Sequence, residues 1–364
     1  MDLDISLIDK FRRKVNSNHS FVLNQYRNQQ GKNLWNIICS CMDWIEVAVN
    51  GLPFIQLKHK NPNVASLNLM QLICSMDLVK ESVHQLYRVF ELEYPFKKDN
   101  SVFLKQQSDD DYFKHKRAVF GVHPVNLKGQ DGSRYFASWS SSKTEGDFAT
   151  FVYSNKIGVE DQLYSIRIND LFQYANMRYL LLEEVMKKIE HDFLTHQHKH
   201  KEAEITRAQS HLDHLGILKK ENLWRYGKGE AYWSEIETLQ RLYSIDISSF
   251  DISIQAMVEK YRNALLKVIR EVHQNLQIMN IEELSTYEIL NPFENLGHSY
   301  NKEKLMVYLH NPDPDYNIRV LGRSGLQIMV KNGELPKIAL EYDGDELLTI
   351  LYAWRWIINE KDMD

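Results

Sequence analysis

Arg117 and His123 are separated by five residues in the segment Arg117-Ala118-Val119-Phe120-Gly121-Val122-His123. These two residue types together suit phosphodiester chemistry. An imidazole moves a proton near neutral pH. A guanidinium holds a phosphate and offsets the charge that builds in the transition state. An RNA substrate brings its own nucleophile, the 2′-hydroxyl, so such a site requires no metal. Similar spacing recurs at Arg12 and Arg13 with His19, and at Arg207 with His214, so context has to choose among them. Asp109-Asp110-Asp111 opens the segment of Arg117 and His123, and an acidic triplet suits a helix N-terminus. Pro124 closes it, because proline disfavours the α conformation in the preceding residue. Surface or capping roles are the plain alternative for both residues.

Other constellations are weaker. His191, His196, His198, His200, His211 and His214 cluster in sequence, and His196 and His200 would share a helix face. HExxH is absent and Lys199, Lys201 and Glu202 surround them, so a solvated or partner-binding face is expected and no metal. Gly227-Lys228-Gly229 is flanked by Trp224, Arg225, Tyr226, Tyr232 and Trp233. Interleaved basic and aromatic residues suit single-stranded nucleic acid, although a turn with buried aromatics is the simpler reading. Lys114 and Lys116 beside Arg117, with Arg225 and Lys228 in that loop, are the candidate RNA contacts. The chain has no phosphate-loop, GxSxG, paired CxxC or dinucleotide motif, and no cofactor is expected. Asp343, Asp345 and Glu346 around Gly344 read as a turn and a helix start.

The elements that must position these residues are mostly helices. The chain has 364 residues, beyond the size at which one core usually stops growing, so two domains are expected. Hydrophobic residues make up 43% and charged residues 26%, enough for a compact core. A net charge of −5 excludes a generally basic coat, but not a local basic groove. Cys39, Cys41 and Cys74 form no disulfide framework and read as buried free thiols. Met-Asp-Leu-Asp at the start is no signal peptide. The most apolar segment, Leu34 to Val49, is interrupted by Asp43 and Glu46, and no run approaches the length that spans a bilayer. A cytoplasmic protein without membrane contact is expected.

Residues 4–30 read as helical, and Leu34, Ile37, Ile38, Cys41, Ile45 and Ala48 give a buried helix over 33–49. Asn61-Pro62 starts a long helix whose apolar stripe runs from Leu69 to Phe90. With the 109–123 segment, residues 1–125 form a helical bundle. Residues 126–160 are a β-hairpin connection built on Arg134 to Trp139 and Phe148 to Tyr153, with Ser140-Ser141-Ser142 as its turn. Residues 161–310 are a long-helix region, with one helix from Asn169 past residue 200 and another from Ile254 to Met279. Residues 311–364 are a small α+β part: strands at Tyr316 to Leu321, Leu326 to Val330 and Lys337 to Tyr342, a hairpin turn at Lys331-Asn332-Gly333-Glu334, and a terminal helix from Leu347 to Ile358. The fold class is mainly α.

The apolar helix at 33–49, the long helix after it and the short helix carrying Arg-x(4–6)-His resemble the HEPN superfamily over about residues 30–125. That resemblance implies a helical-bundle domain and, for many members, a metal-independent ribonuclease in toxin or antiphage defence systems. It implies a homodimer in which two motifs face one groove, with a regulatory protein partner as a further expectation. Arg117 and His123 would be the catalytic pair, acting on RNA. The family often has a polar residue, commonly Asn, directly after the arginine, where this chain has Ala118. A non-catalytic helical module that binds nucleic acid or protein is the alternative.

Overall fold

The computed structural model describes residues 3–122, 124–128, 133–140, 146–294 and 296–363. His123 and the turn residues Ser141 and Ser142 therefore lie outside the described residues. Contacts divide the chain into two compact units, Met1–Phe193 and Leu194–Asp364.

The first unit begins with α1 (Ile5–Ser17), α2 (His19–Tyr26), α3 (Trp35–Gly51) and α4 (Pro62–Val89). Asn61 caps α4 by accepting from the Asn63 amide at 2.9 Å, with Pro62 at the first helical position. The face of α4 carrying Leu69, Leu72, Ile73, Met76, Val79, Val83 and Leu86 is buried, as its spacing requires, and packs on α3. By length and composition, Trp35–Phe54 is apolar enough to cross a membrane. This corrects the expectation that no segment approaches that length. In this structure Ile38, Cys41, Met42, Ile45, Ala48 and Val49 of α3 belong to the core, and Arg12 pairs with both Asp43 and Glu46. The cysteines are free, but only Cys41 is buried; Cys39 is intermediate and Cys74 is exposed.

Next come α5 (Asp109–Arg117), a π-helical turn (Ala118–Val122) and four strands: β1 (Leu127–Lys128), β2 (Arg134–Trp139), β3 (Phe148–Ser154) and β4 (Gln162–Ile166). The strands form one antiparallel meander in the order β1-β2-β3-β4. Ser138 opposite Phe151 is the register of the expected hairpin, and Ala149 opposite Ser165 adds β4 beyond it. The sheet belongs to the first unit and is larger than the hairpin connection read from the sequence. α6 (Ile168–Tyr179) and α7 (Leu182–Glu202) follow. They interrupt the single helix expected over this region at Leu180 and Leu181.

The second unit is helical: α8 (His211–Arg225), α9 (Trp233–Ser244), α10 (Ile252–Gln277), α11 (Tyr287–Leu290), α12 (Tyr300–His310), α13 (Tyr316–Lys331) and α14 (Gly344–Met363). α10 buries Ile254, Val258, Tyr261, Leu265, Val268, Ile269, Val272 and Leu276, the stripe visible in the sequence. The C-terminal strands do not form. Tyr316 to Leu321 and Leu326 to Val330 lie in α13, and Lys337–Glu341 is a 3₁₀ turn. Asp315 caps α13 by accepting from the Ile318 amide at 2.8 Å. Gly322 and Gly325 then share one helix face and let the backbone approach α12, where a Cβ at Gly325 would lie 2.7 Å from the Asn301 carbonyl oxygen. This glycine face overrides the β-prone composition on either side of it.

Candidate active site on helix α5

α5 carries the sequence candidates, and its three leading aspartates fix where they sit. Asp109 is buried and accepts from the amides of Val102 and Phe103 at 2.9 and 3.0 Å, tying the preceding loop to the helix. Asp110 accepts from Arg178 Nε at 3.1 Å and from the Tyr174 hydroxyl at 2.8 Å, which joins α5 to α6. Asp111 and Ser108 exchange a reciprocal capping pair, with the Asp111 amide donating to Ser108 Oγ at 3.2 Å. Arg178 is fully buried, stacked over Tyr174 at 4.0 Å and Phe96 at 4.4 Å, with Asp99 at 4.0 Å. Sequence reading missed this anchor. An arginine inside the apolar stripe of α6 was the available signal, since buried charges are found paired.

Arg117 is the last residue of α5 and forms an ion pair with Asp77 of α4. Its side chain remains 30% exposed. Burial raises the Asp77 carboxyl pKa, and the Arg117 contact opposes that rise. Cys74 lies one turn before Asp77, and partial desolvation of its thiol with the nearby Asp77 charge raises its pKa, which disfavours a thiolate nucleophile. His84 lies two turns beyond Asp77 and packs on the Tyr94 ring at 5.0 Å, and burial, with Lys80 nearby, lowers its pKa. Directly after Arg117 the chain enters the π turn, a rare local structure that occurs often at functional sites. Val119, Phe120 and Gly121 of that turn are buried. Lys114 is exposed on α5.

Lys116 faces the other way. It is only 2% exposed, and its Nζ donates to the Ser165 carbonyl oxygen of β4 at 3.0 Å. The ammonium sits over Tyr164 at 4.7 Å and Tyr112 at 4.9 Å. Burial, reinforced by Lys105, lowers its pKa to about 7. It lines a cavity of about 320 Å³ with Lys105, Tyr112, Ser165, Arg167 and Asp170.

Arg225 and Lys228 belong to the second unit. Arg225 is buried, and its guanidinium donates to the carbonyl oxygens of His200, Ala203 and Leu276 and to Glu221. It ties together the ends of α7 and α10, which corrects its reading as an RNA contact. Asn222 builds the neighbouring turn by accepting from the Tyr232 amide and donating to the Glu230 carbonyl oxygen, leaving Lys228 exposed. His196 and His200 do share a face, with ring centroids 4.5 Å apart, and burial with His196 lowers the His200 pKa to about 4. Among the described residues no group of three or more His, Cys, Asp or Glu side chains is arranged to hold a metal ion. A cavity of about 460 Å³ lies between His310, Arg241 and Lys219, where Arg241 pairs with Asp345 and Lys219 with Glu237. Those cations are neutralised within the unit.

No protein-family model matches the chain, and no curated protein or solved structure does either.

Proposed function

We propose that the chain is a metal-independent, HEPN-like endoribonuclease whose reacting groups are Arg117 and His123. The observation that supports this reading is Arg117 itself. Asp77 holds its guanidinium in place, part of the side chain stays open to solvent, and a π turn follows it immediately. An arginine fixed in this way is prepared for a phosphate without having to be ordered on binding. In the proposed reaction His123 takes the proton of a ribose 2′-hydroxyl, and that oxygen attacks the adjacent phosphorus. The bond to the 5′-oxygen breaks, the leaving oxygen regains a proton, and the phosphate ends as a 2′,3′-cyclic ester. Arg117 offsets the negative charge that grows on the phosphate. Two chains related by a two-fold axis would supply two such pairs to one groove.

The second reading is a binding module that does not cut. Ala118 favours it, because the position after the arginine offers no polar group. So does Asp77, whose carboxylate already neutralises Arg117. The variants His123→Ala and Arg117→Ala separate the two readings on full-length protein incubated with RNA. General acid–base help is worth about 10²–10⁴-fold in rate, so His123→Ala should lose at least that much cleavage. Arg117→Ala should do the same, with DNA of the same sequence left intact by every form. Wild-type cleavage by His123→Ala would refute the catalytic reading. RNA retention without cleavage by the wild-type chain would favour the module. Light scattering of the same preparation should report a dimer.

A further inference from the structure

Two imidazoles face each other inside the second unit. His214 lies in the first turn of α8 and His273 on α10. His273 Nδ1 and His214 Nε2 are 3.3 Å apart, with the ring centroids at 5.2 Å, and both side chains are half-buried. A hydrogen bond between two ring nitrogens needs one N–H and one bare nitrogen. Two imidazolium rings would set N–H against N–H across that distance, so this geometry admits one cation at most. His214 Nδ1 is buried and has no hydrogen-bond partner among the described residues. A protonated His214 carries an N–H there too, and a buried donor without an acceptor is unfavourable. The neighbours also oppose a second proton. Burial comes first in lowering both pKa values; Arg207 and His211 follow at His214, and His214, Arg207 and Arg225 at His273, with Glu204 acting the other way. Asp213 beside His214 is engaged in the Ser210 cap, and Glu271 on α10 accepts from Ser285 and Thr286. From α9, Tyr243 meets the His211 ring at 5.6 Å. The contact lies among residues that join the two helices. Leu215 and Leu218 on α8 and Val272 and Leu276 on α10 are fully buried, and Gln277 accepts from the Ile205 amide at 2.8 Å, which ties the segment before α8 to the end of α10.

We propose that the His214–His273 contact is a proton-operated latch, which holds the start of α8 on α10 while at most one ring is charged and releases it when both are. Imidazoles of an unfolded or opened segment titrate at about 6.5. Below that value the open form takes up both protons, whereas the closed form excludes at least one. Closing therefore weakens by about tenfold per pH unit for each proton excluded as the pH falls. Well above it both forms are neutral at these rings, and the latch stays shut. Release separates Leu215 and Leu218 from α10 and loosens the segment that Gln277 holds. The latch lies within the second unit and does not depend on the ribonuclease reading, whose groups Arg117 and His123 belong to the first.

Hydrogen–deuterium exchange of the full-length protein, at about pH 7.5 and about pH 5.5 and corrected for the intrinsic exchange rate, reads the latch directly. Peptides covering the start of α8 and the His273 region of α10 should lose about tenfold in protection at the lower pH. Peptides of α13, a helix without histidine, should change little. His273→Gln keeps a group that can hydrogen-bond and removes the titration, so its α8 and α10 peptides should be equally protected at both pH values. His214→Gln should behave in the same way and serves where the first variant does not fold. His298→Gln, on an exposed histidine of the same unit, should keep the whole wild-type response. Wild-type α8 and α10 peptides with the same protection at both pH values would overturn the latch, whether or not a variant folds. So would a His273→Gln chain that loses protection as wild type does. Loss spread equally over α13 would mean acid unfolding of the whole unit, and that too contradicts a local latch.

Discussion

Single side chains decide most of what α5 can do. Arg117 and Lys116 are neighbours in sequence, yet one meets Asp77 on α4 and the other meets Ser165 on β4. The first was legible from its spacing to His123 and from the acidic triplet that opens the helix. Lys116 was legible only as one more basic residue, because nothing in a sequence says which lysine will be buried. Its burial has a measurable consequence. The folded amine titrates at about 7, well below its ordinary value. Between those two values the unfolded chain binds the extra proton, so this group makes stability rise with pH across that window. The penalty is complete at neutral pH and below. Lys116→Met keeps the length and removes the charge, and replacing a buried ion by a packed apolar group is often neutral or stabilising by ~1–4 kcal/mol. Denaturant unfolding should show that gain at about pH 6 and its decline toward about pH 10. A variant less stable than wild type at the lower pH would contradict the burial of an unpaired ammonium.

Among the elements, long helices with an unbroken apolar stripe were legible, and short segments of β-prone composition were not. α4 and α10 follow their stripes closely, the cap at Asn61 falls where the residue types place it, and the acidic triplet at Asp109 opens α5. The expected strands at 316–330 became α13, because Asp315 caps a helix and Gly322 with Gly325 make a flat face against α12. Glycines three apart signal close helix packing, and that signal outweighs Ile, Val and Tyr nearby. Gly325→Ala therefore tests the packing: its Cβ would press on the Asn301 carbonyl oxygen, and forcing a methyl into such a contact costs ~1–3 kcal/mol. Thermal unfolding should report a lowered midpoint, while an unchanged one would mean that α12 and α13 are not so close. β4 escaped sequence reading because Gln162–Ile166 is five residues long and runs almost directly into α6. The π turn after Arg117 has no sequence signature here; it fits five residues between the end of α5 and the approach to Pro124.

At the scale of the whole molecule, buried and half-buried cations in both units meet specific partners. In the first unit Arg117 pairs with Asp77 and Arg178 with Asp110, while Lys116 donates to the Ser165 carbonyl oxygen. In the second, Arg225 meets carbonyl oxygens and Glu221, and Arg241 meets Asp345. A net charge of −5 shows none of this, because a total says nothing about where charges lie. The mainly helical class was within reach of sequence reading, whereas the boundary between Phe193 and Leu194 was not, since it falls inside the region read as 161–310. The pairing partners were not, since Asp77, Ser165 and Arg178 meet α5 from distant parts of the chain. The central claim is chemical, and the ends of the RNA products test it most directly. Wild-type protein stripped of metal with chelator should cut a labelled RNA and leave a 2′,3′-cyclic phosphate on the upstream fragment and a 5′-hydroxyl on the downstream one. Cleavage that stops in chelator, or fragments bearing a 3′-hydroxyl and a 5′-phosphate, would contradict it.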